Sequence, residues 1–193
     1  MSEKIEFVLD GKTVYADKGQ SIWEVANGQG LKIPHLCHKP KPGYRPDGNC
    51  RACMVEIEGE RTLAASCIRE PQQGMVVNSA SLRAKAARKM VVEMLLTDQP
   101  LREEAHDKSS HFWDMVELSD VQKSRLPRLD QDRGPLLDDS HVAMSVSLDA
   151  CIQCGLCVRA CREVQVNDVI GMSGRGHNSV SYTHLRAHET KAN

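Results

Sequence analysis

Asp47-Gly48-Asn49-Cys50-Arg51-Ala52-Cys53-Met54-Val55-Glu56 is a glycine-turned C-x2-C loop that runs directly into an apolar stretch. Two more cysteines lie outside it. Cys37 precedes Cys50 with twelve residues between them, and Cys67 follows Cys53 with thirteen. One C-x2-C loop plus two outlying cysteines supplies what a [2Fe–2S] cluster needs, four thiolates shared two to each iron. The same four thiolates would also serve a structural zinc ion. Gly43 and Gly48 let the backbone fold tightly, so that amide groups can point at cluster sulfurs. His35 and His38 flank Cys37. With four thiolates already present, both histidines read as surface loop residues rather than ligands.

Around that loop the patterning is that of a small mixed α+β unit. Residues 4–9 and 12–17 are short apolar-rich runs joined at Asp10-Gly11, a strong hairpin signal. Ser21 with Glu24 three residues on forms a capping box before Ile22-Trp23-Glu24-Val25-Ala26, and Gly28 and Gly30 close the short helix it opens. Residues 54–57 and 62–65 read as a second hairpin around Gly59, and Met75-Val76-Val77 as a last strand. Ser81 caps an amphipathic helix over residues 81–97, where Leu82, Ala86, Met90 and Met94 recur every four residues. This stripe is expected to be core.

From Ser119 to Asp139 the sequence turns polar and is punctuated by Pro127, Gly134 and Pro135, the composition of a connecting segment. Residues 142–148 predict a strand, residues 158–164 a short helix and residues 168–171 a further strand. Between them stands Cys151-Ile152-Gln153-Cys154-Gly155-Leu156-Cys157-Val158-Arg159-Ala160-Cys161. Its spacing, C-x2-C-x2-C-x3-C, is the ligand run of a bacterial-type [4Fe–4S] ferredoxin. A structural zinc site uses two separated knuckles instead. In two-cluster ferredoxins the fourth cysteine of such a run serves the other cluster. Cys151, Cys154 and Cys157 are therefore expected to hold one [4Fe–4S] cluster and Cys161 to belong to a second, with the remaining ligands outside this sequence.

Composition narrows the function classes. Charges nearly balance, 25 basic against 26 acidic, and aromatics are 4%, which argues against a nucleic-acid partner. No apolar run reaches membrane-spanning length, and residues 1–6 carry no signal pattern, so a cytoplasmic protein is expected. Eight cysteines in a reducing compartment point to metal or redox work rather than disulfides.

Pro34-His35-Leu36-Cys37-His38, the run 47–56 and Ala65-Ser66-Cys67 resemble a β-grasp [2Fe–2S] ferredoxin domain. The version resembles the amino-terminal region of the α subunit of NAD-linked, molybdenum-containing formate dehydrogenases, over roughly residues 3–180. Related modules occur in the large iron–sulfur subunit of respiratory complex I and in hydrogenases. The spacing of twelve between Cys37 and Cys50, with Lys41-Pro42-Gly43-Tyr44-Arg45-Pro46 in between, points to the formate dehydrogenase branch. The resemblance implies a [2Fe–2S] β-grasp domain over 1–78 and a helical linker domain over 79–140. The first half of a two-cluster [4Fe–4S] ferredoxin domain follows over 141–180, and 181–193 reads as an artefactual tail. It also implies electron relay between a molybdenum bis-pterin site in a missing downstream domain and flavin- and NAD-binding partner subunits. No residue here can be assigned to formate, molybdenum, flavin or nicotinamide, so the piece itself is expected to carry no catalytic site. A small diaphorase subunit of an NAD-reducing hydrogenase, or a complex I-like subunit, is the alternative. A zinc-stabilised module without redox function is a third reading.

One departure stands out. These relatives carry a further cluster site ligated as H-x3-C-x2-C-x5-C after the helix. Its positions fall here on Gln99, Glu103, His106 and Phe112. The site is read as lost, with Phe112, Trp113 and Val116 filling the space and Glu103 and His106 forming a solvated face.

Overall fold

A computed structural model describes residues 4–129, 137–141, 144–174 and 179–183. Strands β1 (Ile5–Leu9), β2 (Lys12–Ala16), β3 (Met54–Ile57), β4 (Ala64–Ala65) and β5 (Val76–Asn78) form one five-stranded sheet in the order β2-β1-β5-β3-β4. β1 runs antiparallel to β2 and parallel to β5, and β3 runs antiparallel to both β5 and β4. Along β1 and β2 the inward residues Phe7, Leu9, Val14 and Ala16 are buried, and Val55, Ile57 and Val77 continue that face. Helix α1 (Ile22–Gly28) covers it with Ile22, Trp23, Val25 and Ala26. Its capping box is formed: the Glu24 amide donates to Ser21 Oγ at 3.2 Å, and the Ser21 amide donates to the Glu24 carboxylate at 2.7 Å. The mixed α+β unit read from the sequence is present, with β4 shorter than expected.

Helix α2 (Leu82–Leu96) begins at Ser81, whose hydroxyl accepts from the Ala84 amide at 3.1 Å. The stripe expected to be core faces outward. Leu82 is 88% exposed, Met94 56% and Met90 41%, and Ala86 is exposed as well. The buried face instead carries Ala84, Arg88, Val92 and Glu93. Two charged residues can lie inward because each is bonded there. Arg88 donates to the Met54 carbonyl at 2.9 Å and to the Ser79 carbonyl, and Arg125 pairs with Glu93. The side-chain period was read correctly and the phase was not, because hydrophobicity alone hides a paired charge.

Helix α3 (His111–Leu118) buries Phe112, Trp113, Met115 and Val116. They join Val92 of α2, Leu36 and Ala52 of the cysteine loops, Ala105 and Val121 in a second core, against which Cys50 and Ile152 pack. Glu103 and His106 are exposed, and they sit in turns rather than on a helix.

Leu137–His141 (β6) pairs antiparallel with Met144–Ser147 (β7), so part of the stretch read as a connecting segment is a strand. Its polar residues Asp138, Asp139 and Ser140 masked the strand in the pattern. α4 (Leu156–Arg159) continues as a π-helical turn over Ala160–Val164, and Ile170–Ser173 (β8) pairs with Val180–Thr183 (β9). Residues 181–183 of the segment set aside as a tail thus lie in a strand. The parts of the sequence readings that fall on 130–136, 142–143, 175–178 and 184–193 lie outside the described residues. Among the described residues no helix is long and apolar enough to cross a membrane.

Candidate metal centre

The first four cysteines come together from three loops: Cys37 between α1 and β3, Cys50 and Cys53 in the turn just ahead of β3, and Cys67 in the turn after β4. Cys37, Cys53 and Cys67 are fully buried and Cys50 is partly so, all as free thiols. Cys37 lies close enough to interact with both Cys50 and Cys67, and Cys67 with Cys53. Among the described residues no three His, Cys, Asp or Glu side chains surround a position for a single metal ion.

Backbone amides face these sulfurs. Those of Cys37 and Ala52 both donate to Cys50 Sγ at 3.4 Å. Tight backbone geometry makes this possible: Gly43 and Gly48 have φ of 85° and 66°. At Gly48 the close approach is as important as the angle, since a Cβ there would lie 2.7 Å from Ile68 Cδ1. The Cys67 segment is held by α1, whose first-turn amides, Ile22 and Trp23, donate to the carbonyls of Arg69 and Ser66 at 2.8 and 3.0 Å. Ser66 in turn bonds the Cys53 carbonyl through its hydroxyl at 2.8 Å.

The thiols share their protons unevenly. Hydrogen bonds from Cys50 and Cys67 hold Cys37 far below the ordinary thiol range. Those same bonds to Cys37, reinforced by burial, push Cys50 and Cys67 far up. The Cys67 thiol brings Cys53 down to about 7, against the effect of burial. Thiols gathered among amide donors are the ligand type that a [2Fe–2S] cluster takes, two to each iron.

The two histidines are not surface loop residues. His38 is 5% exposed, with its ring edge-on to Trp23 at 4.6 Å, and both its ring nitrogens are buried without a hydrogen-bond partner. His35 is half-buried, also 4.6 Å from the Trp23 ring, and burial lowers its pKa to about 4. Burial lowers that of His38 too. The Trp23 indole fixes both rings while its Nε1 donates to the Ile33 carbonyl at 3.1 Å. Sequence reading missed this because an aromatic residue in a helix gives no sign of which loop it will cover.

In the second set, Gln153 and Gly155 adopt φ of 55° and 69°, winding the chain between Cys151 and Cys157. Cys151 and Cys154 are half-buried, Cys157 is exposed and Cys161 is buried. Burial raises Cys154, with smaller contributions from Cys157, Cys151 and Cys37. Cys37 of the first set is thus within electrostatic reach of the second. Cys161 stands apart, its sulfur accepting from the Val169 amide at 3.2 Å. Gln99, at the first position of the cluster site read as lost, is 3% exposed and donates to the Cys151 carbonyl at 3.4 Å. A cleft of about 340 Å³ lies between the two sets, bounded by Cys50, Val91, Met94, Leu95 and Ile152.

Residues 2–81 match the family model described as a 2Fe-2S iron-sulfur cluster binding domain. The chain is 33% identical over 185 residues to the mitochondrial NADH-ubiquinone oxidoreductase 78 kDa subunit of Candida albicans, covering 94% of this chain and 25% of that protein. It is 30% identical over 181 residues to the NADP-reducing hydrogenase subunit HndD of Solidesulfovibrio fructosivorans, covering 91% of this chain and 31% of that one. Among solved structures it resembles a chain of an NAD+-reducing [NiFe]-hydrogenase in the H2-reduced state. The TM-score is 0.80 at 30% identity, covering 93% of this chain and 74% of that chain. The chain spans about a quarter of the length of the mitochondrial relatives it matches.

Proposed function

We propose that the chain, whose residues 2–81 match a 2Fe-2S iron-sulfur cluster binding domain, is an iron–sulfur electron-relay region of an NAD-linked, multi-subunit oxidoreductase. The observation that carries this reading is the gathering of Cys37, Cys53 and Cys67, fully buried, with Cys50, whose sulfur accepts from two backbone amides. These four would hold a [2Fe–2S] cluster, Cys37 with Cys50 on one iron and Cys53 with Cys67 on the other. Cys151, Cys154 and Cys157 would contribute to a [4Fe–4S] cluster, and Cys161 to another. Such clusters supply one-electron transfer. The chain's own residues keep water from the thiolates, aim amides at sulfur, and set the distance between the two cysteine sets through the apolar layer of Leu36, Ala52, Val92 and Ile152.

Within that reading the enzyme is a formate dehydrogenase whose α subunit this region opens. The twelve-residue insert between Cys37 and Cys50 supports it, as does the resemblance of the surrounding motifs. Flavin- and NAD-binding subunits would be its partners, and a downstream molybdenum bis-pterin domain would oxidise formate. The small diaphorase subunit of an NAD-reducing hydrogenase is the second reading, favoured by the 74% coverage of the hydrogenase chain. Anaerobic reconstitution with iron and sulfide, followed by metal analysis and EPR of the reduced protein, tests the relay. A folded, EPR-silent species that retains zinc and refuses iron overturns it. The gene downstream of residue 180 separates the two enzymes: a molybdopterin domain supports the first, and a stop soon after a second ferredoxin run removes it.

A further inference from the structure

Arg159 carries a buried charge where cysteine ligation alone requires none. It projects from α4 between Cys157 and Cys161, with its side chain 7% exposed. One guanidinium nitrogen donates to the Arg45 carbonyl at 2.6 Å and another to the Cys37 carbonyl. Its Nε faces the Asp47 carboxylate at 3.7 Å, an ion pair rather than a hydrogen bond. All three partners lie in the stretch from Cys37 to Asp47. That stretch meets the same segment twice more. Arg45 pairs with Glu163 at 2.9 Å, and Val164 lies 3.4 Å from where a Cβ on Gly43 would stand. The insert before Cys50 is thus the seat on which the second cysteine run rests.

We infer that Arg159 is a positioning residue that pins the 151–161 run onto the Cys37 loop and raises the reduction potential of the Cys37–Cys67 centre. The potential half rests on the relay reading above. Only a planar fork reaches two carbonyls and a carboxylate together, and a lysine ammonium does not. The desolvated guanidinium persists because both Nη groups are bonded to carbonyls and Nε faces a carboxylate, and breaking these contacts is costly. Its charge, one bonded carbonyl from the Cys37 backbone, favours the state with one added electron. The same contact makes the Cys37 loop and the second run one mechanical unit.

The 193-residue chain with Arg159→Gln and with Arg159→Lys tests both halves. In metal-free protein, amide exchange over residues 37–47 should run about tenfold faster in the glutamine variant, the scale of one lost charge-assisted bond pair, with lysine between it and the parent. In reconstituted protein, a potentiometric EPR titration should show the glutamine variant's reduction constant lowered roughly tenfold, about 59 mV for one electron. The lysine variant, which keeps the charge, should stay within about threefold of the parent, roughly half that shift. Unchanged exchange in both variants overturns the pin. Equal potentials in all three proteins overturn the electrostatic role. A parent protein with no [2Fe–2S] signal sinks the relay reading and the potential half with it, while exchange still decides the pin.

Discussion

Arg125 closes on Glu93 with two nitrogens, Nε at 2.9 Å from one carboxylate oxygen and Nη2 at 2.7 Å from the other. Glu93 is 1% exposed on the inner face of α2, so the pair fastens the segment after α3 to that helix. The hydrogen bonds from Arg125 hold the Glu93 carboxyl below the usual range. A carboxyl depressed in the folded state contributes stability above its unfolded value, about 4.3, and loses it as pH falls through the folded value. Glu93→Gln should therefore lower the urea midpoint at pH 7 and lower it less as the pH falls below the unfolded value. Equal loss above and below that value would show that the pair is not ionic.

Serine substitutions separate the two cysteine sets. Cys67→Ser removes the sulfur that contacts both Cys37 and Cys53, and should abolish the [2Fe–2S] visible and EPR spectra. Cys161→Ser, whose sulfur meets the Val169 amide instead, should leave those spectra intact. Loss of the spectra in both variants would place Cys161 in the first centre.

Trp23 holds the Cys37 loop through His35, His38 and the Ile33 carbonyl. Trp23→Phe should cost about 1 kcal/mol by removing the indole donor and leaving the Ile33 carbonyl only its longer contact with His35 Nδ1 at 3.4 Å. Trp23→Ala should cost about 3–5 kcal/mol through the cavity it opens. Chemical denaturation of both, compared with the parent, checks the order.

Gly48 has a left-handed φ and Ile68 directly above it. Gly48→Ala should destabilise by more than about 1 kcal/mol, from strain and contact together. Adding Ile68→Ala should recover the part due to contact and not the part due to φ. A thermal-melt double-mutant cycle reads the split.

On α2, Met94→Glu should change stability by no more than about 0.5 kcal/mol, whereas Val92→Ala should cost about 2 kcal/mol. A large loss at Met94 would return that residue to the core.

The hairpin at Asp10-Gly11, the Ser21–Glu24 box and the cysteine loop were legible because each is a local device with a residue signature. The phase of α2 was not, since Arg88 and Glu93 become inward residues only once the Met54 carbonyl and Arg125 arrive from elsewhere in the chain. His38 misled for the same reason: its burial depends on Trp23, fifteen positions earlier in sequence. Arg159 gave no signal at all, because an arginine between two cysteines looks solvated until the partner loop is known. β6 was hidden by its own acidic residues. What can be read locally is which residues make a site, and what escapes is which distant residues hold it in place.

The parallel pairing of Leu9 with Val77 brings two strands distant in sequence side by side. Cys37, Cys50, Cys53 and Cys67 all lie between these two strands in sequence, and β5 is the middle strand, through which β1 and β3 join. Docking of β5 shuts a long loop with the thiols inside it, a closure whose entropic cost grows only slowly with length. Loss of the β5 pairing would therefore release the whole loop that carries the four thiols, rather than weaken any one contact among them.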